Sequence, residues 1–275
     1  FVAGETHEDA LRVARELNAR GIGAMLDQLG ENVDSAEEAS RGADDYVLAI
    51  KRIAEEGLPD ANISIKLTQL GLDHSMDRCL ENAARVLDAA TATGSLVMID
   101  MEAFRYVEPT LRAFRELRAR YGNVGVCVQA YLHRSADDVR ALAAEGATVR
   151  LCKGAYLEPP SVAIQDKAEV DRSYARLAAT LLASDATLHL ATHDARLIEG
   201  AKRFAERRSI AEDRFEFQML YGIRRDLQAA LAADGYRMRV YIPYGTEWYP
   251  YLTRRLAERP ANLWFFASNL FRGAR

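Results

Sequence analysis

The chain has 275 residues, 49% of them hydrophobic and 28% charged, with a formal net charge of -4. That composition fits a soluble globular protein with a large core, and the slight acidic balance gives no reason to expect a nucleic-acid partner. No apolar run approaches the roughly 18 residues of a membrane-spanning helix, and no signal-peptide pattern opens the chain. Phe1 in place of methionine leaves the native N-terminus open.

Residues 7–20 read as a helix capped by Thr6 and ended by Gly21. A unit then recurs: a short apolar run, a polar loop and an amphipathic helix. The runs are Ile22–Asp27, Ile63–Leu67, Leu96–Met101, Val124–Gln129, Thr148–Cys152, Leu188–Thr192, Phe215–Leu220 and Met238–Ile242. Helices are expected from Ser35, from Ser75, near Pro109, from Ser135, and then in segments reaching Leu182, Arg207 and Ala233. Parallel strands need a crossover, usually a helix. Eight such units in one chain, with no Pro/Ser/Gly-rich linker, predict a single α/β domain over residues 1–275. Its architecture is a (β/α)8 TIM-like barrel with an extra N-terminal helix.

Three cysteines, Cys79, Cys127 and Cys152, lack C-x-x-C spacing, and the last two lie inside apolar runs. Buried reduced thiols are expected, not a disulfide framework. Gly21-Ile-Gly23 precedes a strand instead of opening a helix, so it reads as a helix stop and not as a dinucleotide fingerprint. His189 and His193 on a strand would be roughly 13 Å apart at about 3.3 Å per residue, too far for one metal. No other Cys/His/Asp/Glu grouping has metal-ligand spacing, and neither G-x-S-x-G nor a P-loop occurs.

Barrels of this class build their sites at the C-terminal ends of the strands. Those positions hold Asp27 with Glu31 beyond it, Lys66, Asp100, Gln129, Arg150 with Lys153, Thr192 with His193, Gln218, and Tyr241. A single polar terminus is ordinary, since strands end where water begins. Charged groups converging from nearly every strand need partners or a ligand to offset desolvation. Arg150, Lys153, Thr192 and His193, with Gly154 and Ala155 allowing close backbone approach, suit a phosphate-bearing cofactor. Lys66, Asp100, Tyr241, Tyr251, Arg254 and Arg255 suit a small amino or keto acid.

Tyr251, Arg254, Arg255 and Glu258 fall at i, i+3, i+4 and i+7 on the last helix, a stripe that is ordinarily apolar. Two readings are open. The stripe is a solvated face with an Arg–Glu pair, or it is an anion site lying over the barrel mouth, since adjacent guanidiniums suit a planar carboxylate.

Five motifs, in order, carry a family resemblance: Ser-Ile-Lys-Leu-Thr-Gln-Leu-Gly at 64–71, Val-Arg-Leu-Cys-Lys-Gly-Ala-Tyr at 149–156, Ala-Thr-His-Asp at 191–194, Phe-Gln-Met-Leu-Tyr-Gly at 217–222, and Tyr-Ile-Pro-Tyr-Gly…Tyr-Leu-Thr-Arg-Arg-Leu-Ala-Glu at 241–258. The chain resembles the proline dehydrogenase family, found as monofunctional flavoenzymes and within bifunctional proline-utilisation proteins. The resemblance implies a distorted (β/α)8 barrel with FAD that oxidises L-proline to Δ1-pyrroline-5-carboxylate and passes electrons to a membrane quinone. By motif, Arg254 and Arg255 clamp the proline carboxylate, Lys66 and Asp100 line the pocket, and Leu220, Tyr241 and Tyr251 pack on the ring. A tyrosine at the position of Tyr241 goes with proline, not hydroxyproline. Met101, Gln129, Arg150, Lys153, Gly154, Ala155, Thr192 and His193 hold FAD. Asp100 and Arg150 stand as the catalytic candidates, Arg150 stabilising reduced flavin. Glu31 pairs with the first arginine as a gate. The resemblance further implies a cytoplasmic protein, peripheral on the inner face of the cell membrane, working with a separate pyrroline-5-carboxylate dehydrogenase because the chain lacks that second region.

The expected chemistry is hydride transfer from proline C5 to flavin N5, with the ring nitrogen neutral. The residues alone also admit a barrel aldolase or lyase using Lys66 or Lys153 as a Schiff base on a keto acid, and a non-catalytic amino-acid binding module. A folate-acting flavin barrel fits less well, because the pocket has a carboxylate clamp.

Overall fold

Alternation along each strand decides the architecture: one face must be apolar to pack under helices, and the other is set against itself in the barrel interior. The computed structural model describes residues 2–258. Its strands are β1 (Gly23–Gln28), β2 (Ala61–Ile65), β3 (Val97–Ile99), β4 (Val124–Gln129), β5 (Thr148–Cys152), β6 (Thr187–Ala191), β7 (Phe215–Leu220) and β8 (Met238–Tyr244). They are parallel and close in chain order, with β8 pairing back to β1. The helices are α1 (His7–Asn18), α2 (Ala36–Glu55), α3 (Met76–Thr93), α4 (Val107–Arg118), α5 (Ser135–Ala144), α6 (Lys167–Leu182), α7 (Ala195–Arg207), α8 (Arg225–Ala233) and α9 (Trp248–Glu258). The (β/α)8 expectation is met.

Local chemistry sets the boundaries. Thr6 caps α1 in a reciprocal capping box with Asp9, and Ser35, Ser75, Asp166 and Asp194 cap α2, α3, α6 and α7. Gly94 ends α3 in the left-handed region at φ 72°. β3 is shorter than the expected Leu96–Met101; at its start the Leu96 N–H donates to Asn62 Oδ1 (2.9 Å). The helix expected soon after Tyr156 starts only at Lys167, since Pro159 and Pro160 hold the intervening loop out of helix.

The apolar shell lies between strands and helices. Leu26, Ile65, Val126, Leu151, Leu190 and Ile242 are buried there against the helical faces. The interior differs. The registers Gly23↔Arg239, Met25↔Tyr241, Cys127↔Arg150, Arg150↔His189 and His189↔Glu216 put polar and charged side chains on the inward set. Inside, Arg239 binds Glu216 (Nε–Oε1 2.9 Å) and Asp60 (Nη2–Oδ1 2.7 Å) near the N-terminal end. Gly23 is required beside it, because an added Cβ would crowd the Arg239 guanidinium.

Two features shape the mouth. First, α1 packs against both β1 and β8, filling the outer position that a helix after β8 would take. The segment before α1 is pinned there by Ala3 N–H to Pro243 O (2.8 Å) and by Gly245 N–H to Gly4 O (3.0 Å). The last helix, α9, therefore begins at the mouth, directly after the turn at Gly245. Second, consecutive loops are tied together. Asn32 N–H donates to Thr68 Oγ1 (3.2 Å), and Thr68 donates its N–H (3.2 Å) and its hydroxyl to Glu102. Gln129 Nε2 donates to Glu102 O (2.8 Å), and Gln129 Oε1 accepts from Ala155 N (3.2 Å).

Glu102 is 2% exposed. Burial pushes its carboxyl up from 4.5 to about 7, and the nearby Glu31 charge adds to this against the Thr68 bonds. The folded state thus keeps a proton that the unfolded chain releases between pH 4.5 and 7, so this group removes stability as pH rises through that window and no more above it. Glu102→Gln is expected to abolish that slope. Urea unfolding at a series of pH values should show wild type losing up to about 3 kcal/mol relative to the variant across the window. Parallel pH profiles would contradict the assignment.

Candidate active site

Alternation that runs polar-x-polar into the mouth, as in Ser64-x-Lys66, stacks chemistry on the inner face. Asp100 and Lys66 sit just beyond the ends of β3 and β2. Asp100 is the hub. Its Oδ1 accepts from Arg150 Nη1 (2.5 Å) and Ser64 Oγ (2.7 Å); its Oδ2 accepts from Tyr241 Oη (2.7 Å) and lies 3.5 Å from Lys66 Nζ. Burial alone would raise the Asp100 carboxyl, but the Arg150 and Lys66 charges outweigh it and hold the group below its ordinary value. Lys66 has a nearer partner than Asp100: its Nζ bonds Asp27 Oδ1. Burial pushes Asp27 up to about 6 against the pull of Lys66. Two cations and two carboxylates thus offset one another where water is scarce.

Arg150 is 4% exposed and held on several sides. Nε donates to Gln218 Oε1 (2.8 Å), Nη1 also reaches Ser64 Oγ (3.1 Å), and the guanidinium lies 5.1 Å from the Tyr241 ring centroid. Its buried Nη2 has no hydrogen-bond partner among the described residues. Arg150, expected beside Lys153, Thr192 and His193, is bound to the carboxylate network, with Asp100 as its counter-ion.

The second group lies beside it on β4–β7. Gly154 has φ +134°, and a Cβ there would run into the Tyr131 ring, so only glycine brings this backbone to the mouth. Ala155 is tethered to Gln129. Lys153 Nζ pairs with Asp171 (2.5 Å) and Asp194 (3.4 Å). His193 Nε2 accepts from Leu220 N (2.9 Å), a pattern that assigns the neutral ring's proton to Nδ1. Thr192 Oγ1 accepts from Asp194 N (3.2 Å) and Met101 is buried in the adjoining core.

Tyr156 Oη donates to Glu31 Oε1 (3.3 Å), and Tyr251 is buried on the first turns of α9. Arg254 and Arg255 follow on that helix, but their side chains lie outside the described residues, as does the Glu31–Arg254 gate contact. All three cysteines are free thiols; Cys127 and Cys152 face each other beneath the mouth with Sγ atoms 3.6 Å apart. No group of three or more candidate metal ligands occurs among the described residues.

Asp27, Ser64, Glu102, Gln218, His189 and Glu216 were not assigned roles from sequence. The signal was present in Glu216-x-Gln218 and Arg239-x-Tyr241, whose period-two polarity on buried strands marks an ionic interior. His189 was weighed only as a zinc ligand; its Nδ1 in fact faces Gln218 Nε2 at 3.0 Å.

A family model described as proline dehydrogenase matches residues 10–268. Proline dehydrogenase of Deinococcus radiodurans is 43% identical, with 99% of this chain and 89% of that one covered. Proline dehydrogenase 1 of Bacillus subtilis is 41% identical, with 99% and 90% covered. Bifunctional protein PutA of Escherichia coli is 29% identical, with 96% of this chain but 23% of that one covered. Among solved structures, proline utilization A from Bdellovibrio bacteriovorus, inactivated by N-propargylglycine, superposes with a TM-score of 0.86 at 29% identity. That match covers 93% of this chain and 32% of the longer protein. A full-length match to the family model, joined to relatives above 40% identity and a shared barrel, has one meaning: the chain belongs to the proline dehydrogenase family.

Proposed function

We propose that the chain oxidises L-proline to Δ1-pyrroline-5-carboxylate with FAD as its bound cofactor, and that electrons then pass to a membrane quinone. The observation that carries this reading is Arg150: a buried, fixed guanidinium whose Nη2 has no partner among the described residues and calls for an acceptor from a ligand. When bound, FAD supplies the two-electron acceptor for the hydride that leaves proline C5. Arg150 would be the cation beside the flavin, and positive charge there would favour the reduced anion. Gly154, whose missing side chain lets the Tyr131 ring pack against the backbone, and Ala155, tethered to Gln129, belong with Met101, Gln129, Lys153, Thr192 and His193 to the group proposed to hold the cofactor.

Arg254 and Arg255 clamp the substrate carboxylate, with Glu31 gating the first of them. Leu220, Tyr241 and Tyr251 enclose the ring, and Tyr241 selects proline over its hydroxylated relative. Lys66 and Asp100 keep the pocket's charge balanced, so the ring nitrogen must arrive or become neutral before C5–H leaves. A cytoplasmic enzyme handing electrons to a quinone meets the inner membrane face peripherally, and a separate pyrroline-5-carboxylate dehydrogenase takes the product. Among the described residues no helix is long and apolar enough to cross a membrane.

The lyase alternative is weakened by Lys66 itself. Burial works against its charge, but Asp27 and Asp100 raise it well above its ordinary value, and a Schiff-base lysine must be neutral to attack. Acid denaturation of purified protein is expected to release FAD at about one per chain. Colourless protein that borohydride and a keto acid modify at Lys66 or Lys153 would establish the lyase instead. Arg255→Met is expected to raise KM for L-proline by about thirtyfold or more, the scale of a lost buried charge-assisted contact, with a smaller change in kcat. An unchanged KM would remove the clamp.

A further inference from the structure

Beneath the mouth a second polar array continues toward the bottom of the barrel, and Gln218 joins the two. Gln218 Oε1 accepts from Arg150 Nε (2.8 Å). Its Nε2 donates to Glu216 Oε1 (2.6 Å) and faces His189 Nδ1 (3.0 Å). Glu216 is held in turn by Arg239, through Nε (2.9 Å) and Nη2 (3.2 Å), and Arg239 reaches Asp60. All of these side chains except Asp60 are almost fully buried.

This arrangement fixes the direction of the amide. Turned over, Gln218 would present its N–H groups to the Arg150 Nε–H, donor against donor, and its oxygen to the Glu216 carboxylate, anion against acceptor. With the amide in this direction Gln218 Nε2 donates to His189 Nδ1, which places the neutral ring's proton on Nε2. Gln218 therefore meets Arg150 only through oxygen. With Asp100 and Ser64 on Nη1 and Gln218 on Nε, two edges of the guanidinium are occupied and Nη2 is left to face a ligand.

We infer that Gln218, locked by Glu216, is a positioning residue: it sets the orientation of Arg150 from below while Asp100 sets it from the mouth. This rests on the proposed reading of Arg150 as the guanidinium that meets bound FAD. Asp100 and Gln218 play different parts. Asp100 supplies the counter-charge; Gln218 is neutral and supplies direction alone. Removing it leaves charge in the site unchanged and loosens only the cation's placement.

The test uses FAD-loaded protein carrying Gln218→Met, which matches the length of the side chain and removes the acceptor, and Gln218→Asn, which keeps the amide but shortens its reach. Each is made alone and in an Arg150→Lys background. The expected result is a fall in kcat of about tenfold or more, the scale of a lost hydrogen bond to a charged group. KM for L-proline should stay within about threefold, because the carboxylate clamp lies on another element. The flavin midpoint potential should move to more negative values as the cation drifts. With lysine at position 150 the further effect of either change should shrink below about twofold, since Gln218 acts through the guanidinium.

Unchanged kcat and potential in FAD-loaded variants overturn the inference, and so does an effect of equal size in both backgrounds. Loss of folding in both variants also overturns it, since a positioning role leaves the fold standing. These failures are separate from failure of the functional reading: wild-type protein without FAD ends both, whereas wild-type protein reduced by L-proline beside variants of unaltered potential ends this inference alone.

Discussion

The Arg150–Asp100 ion pair is the interaction on which the rest of the molecule depends. A guanidinium and a carboxylate inside a barrel are tolerable only when their remaining hydrogen-bonding groups are satisfied. Ser64, Tyr241 and Lys66 complete Asp100, while Gln218 completes one edge of Arg150. The pair comes from β3 and β5 and its partners from β2, β7 and β8, so closure of the barrel and assembly of the site are the same event. Removing one partner would strand a buried charge, which costs far more than the net worth of the pair. The apolar contribution to folding lies outside, between strands and helices, and so leaves the interior available for chemistry.

Placement of α9 follows from a steric constraint at the opposite end of the chain. Because α1 packs on β8 and β1, the helix after β8 has no slot in the outer ring and begins at the mouth. Tyr241 on β8 and Tyr251 on α9 then belong to one contiguous segment, joined by a turn at Gly245 whose φ of 122° suits glycine. The loop ties from Asn32 through Thr68, Glu102 and Gln129 to Ala155 hold the other side of the mouth in register.

Much of this was legible in the residues. Apolar runs spaced by amphipathic helices point to the barrel, and Lys66, Asp100, Arg150 and Tyr241 stand out as strand-end groups. Their partners were harder to read. Lys66 could be matched with Asp100 by sign, but the nearer Asp27 depends on the β1–β2 register, which periodicity does not specify. Arg150 and Lys153 are three residues apart, but their counter-ions differ, Asp100 for the first and Asp171 for the second, which spacing alone does not specify. Glu216, Gln218 and Arg239 lie deeper than any loop motif. Only the alternation of polar residues along β7 and β8 announces them, and it signifies an ionic interior once the inward face is known.

The family assignment and the geometry meet at one point: a fixed guanidinium, Arg150, whose Nη2 has no partner among the described residues. The most direct measurement is an anaerobic visible spectrum of the purified protein before and after L-proline. The account predicts an oxidised flavin spectrum that bleaches on adding L-proline. A flavin spectrum that L-proline leaves unchanged, or protein with no flavin absorbance that still turns over L-proline, would contradict it.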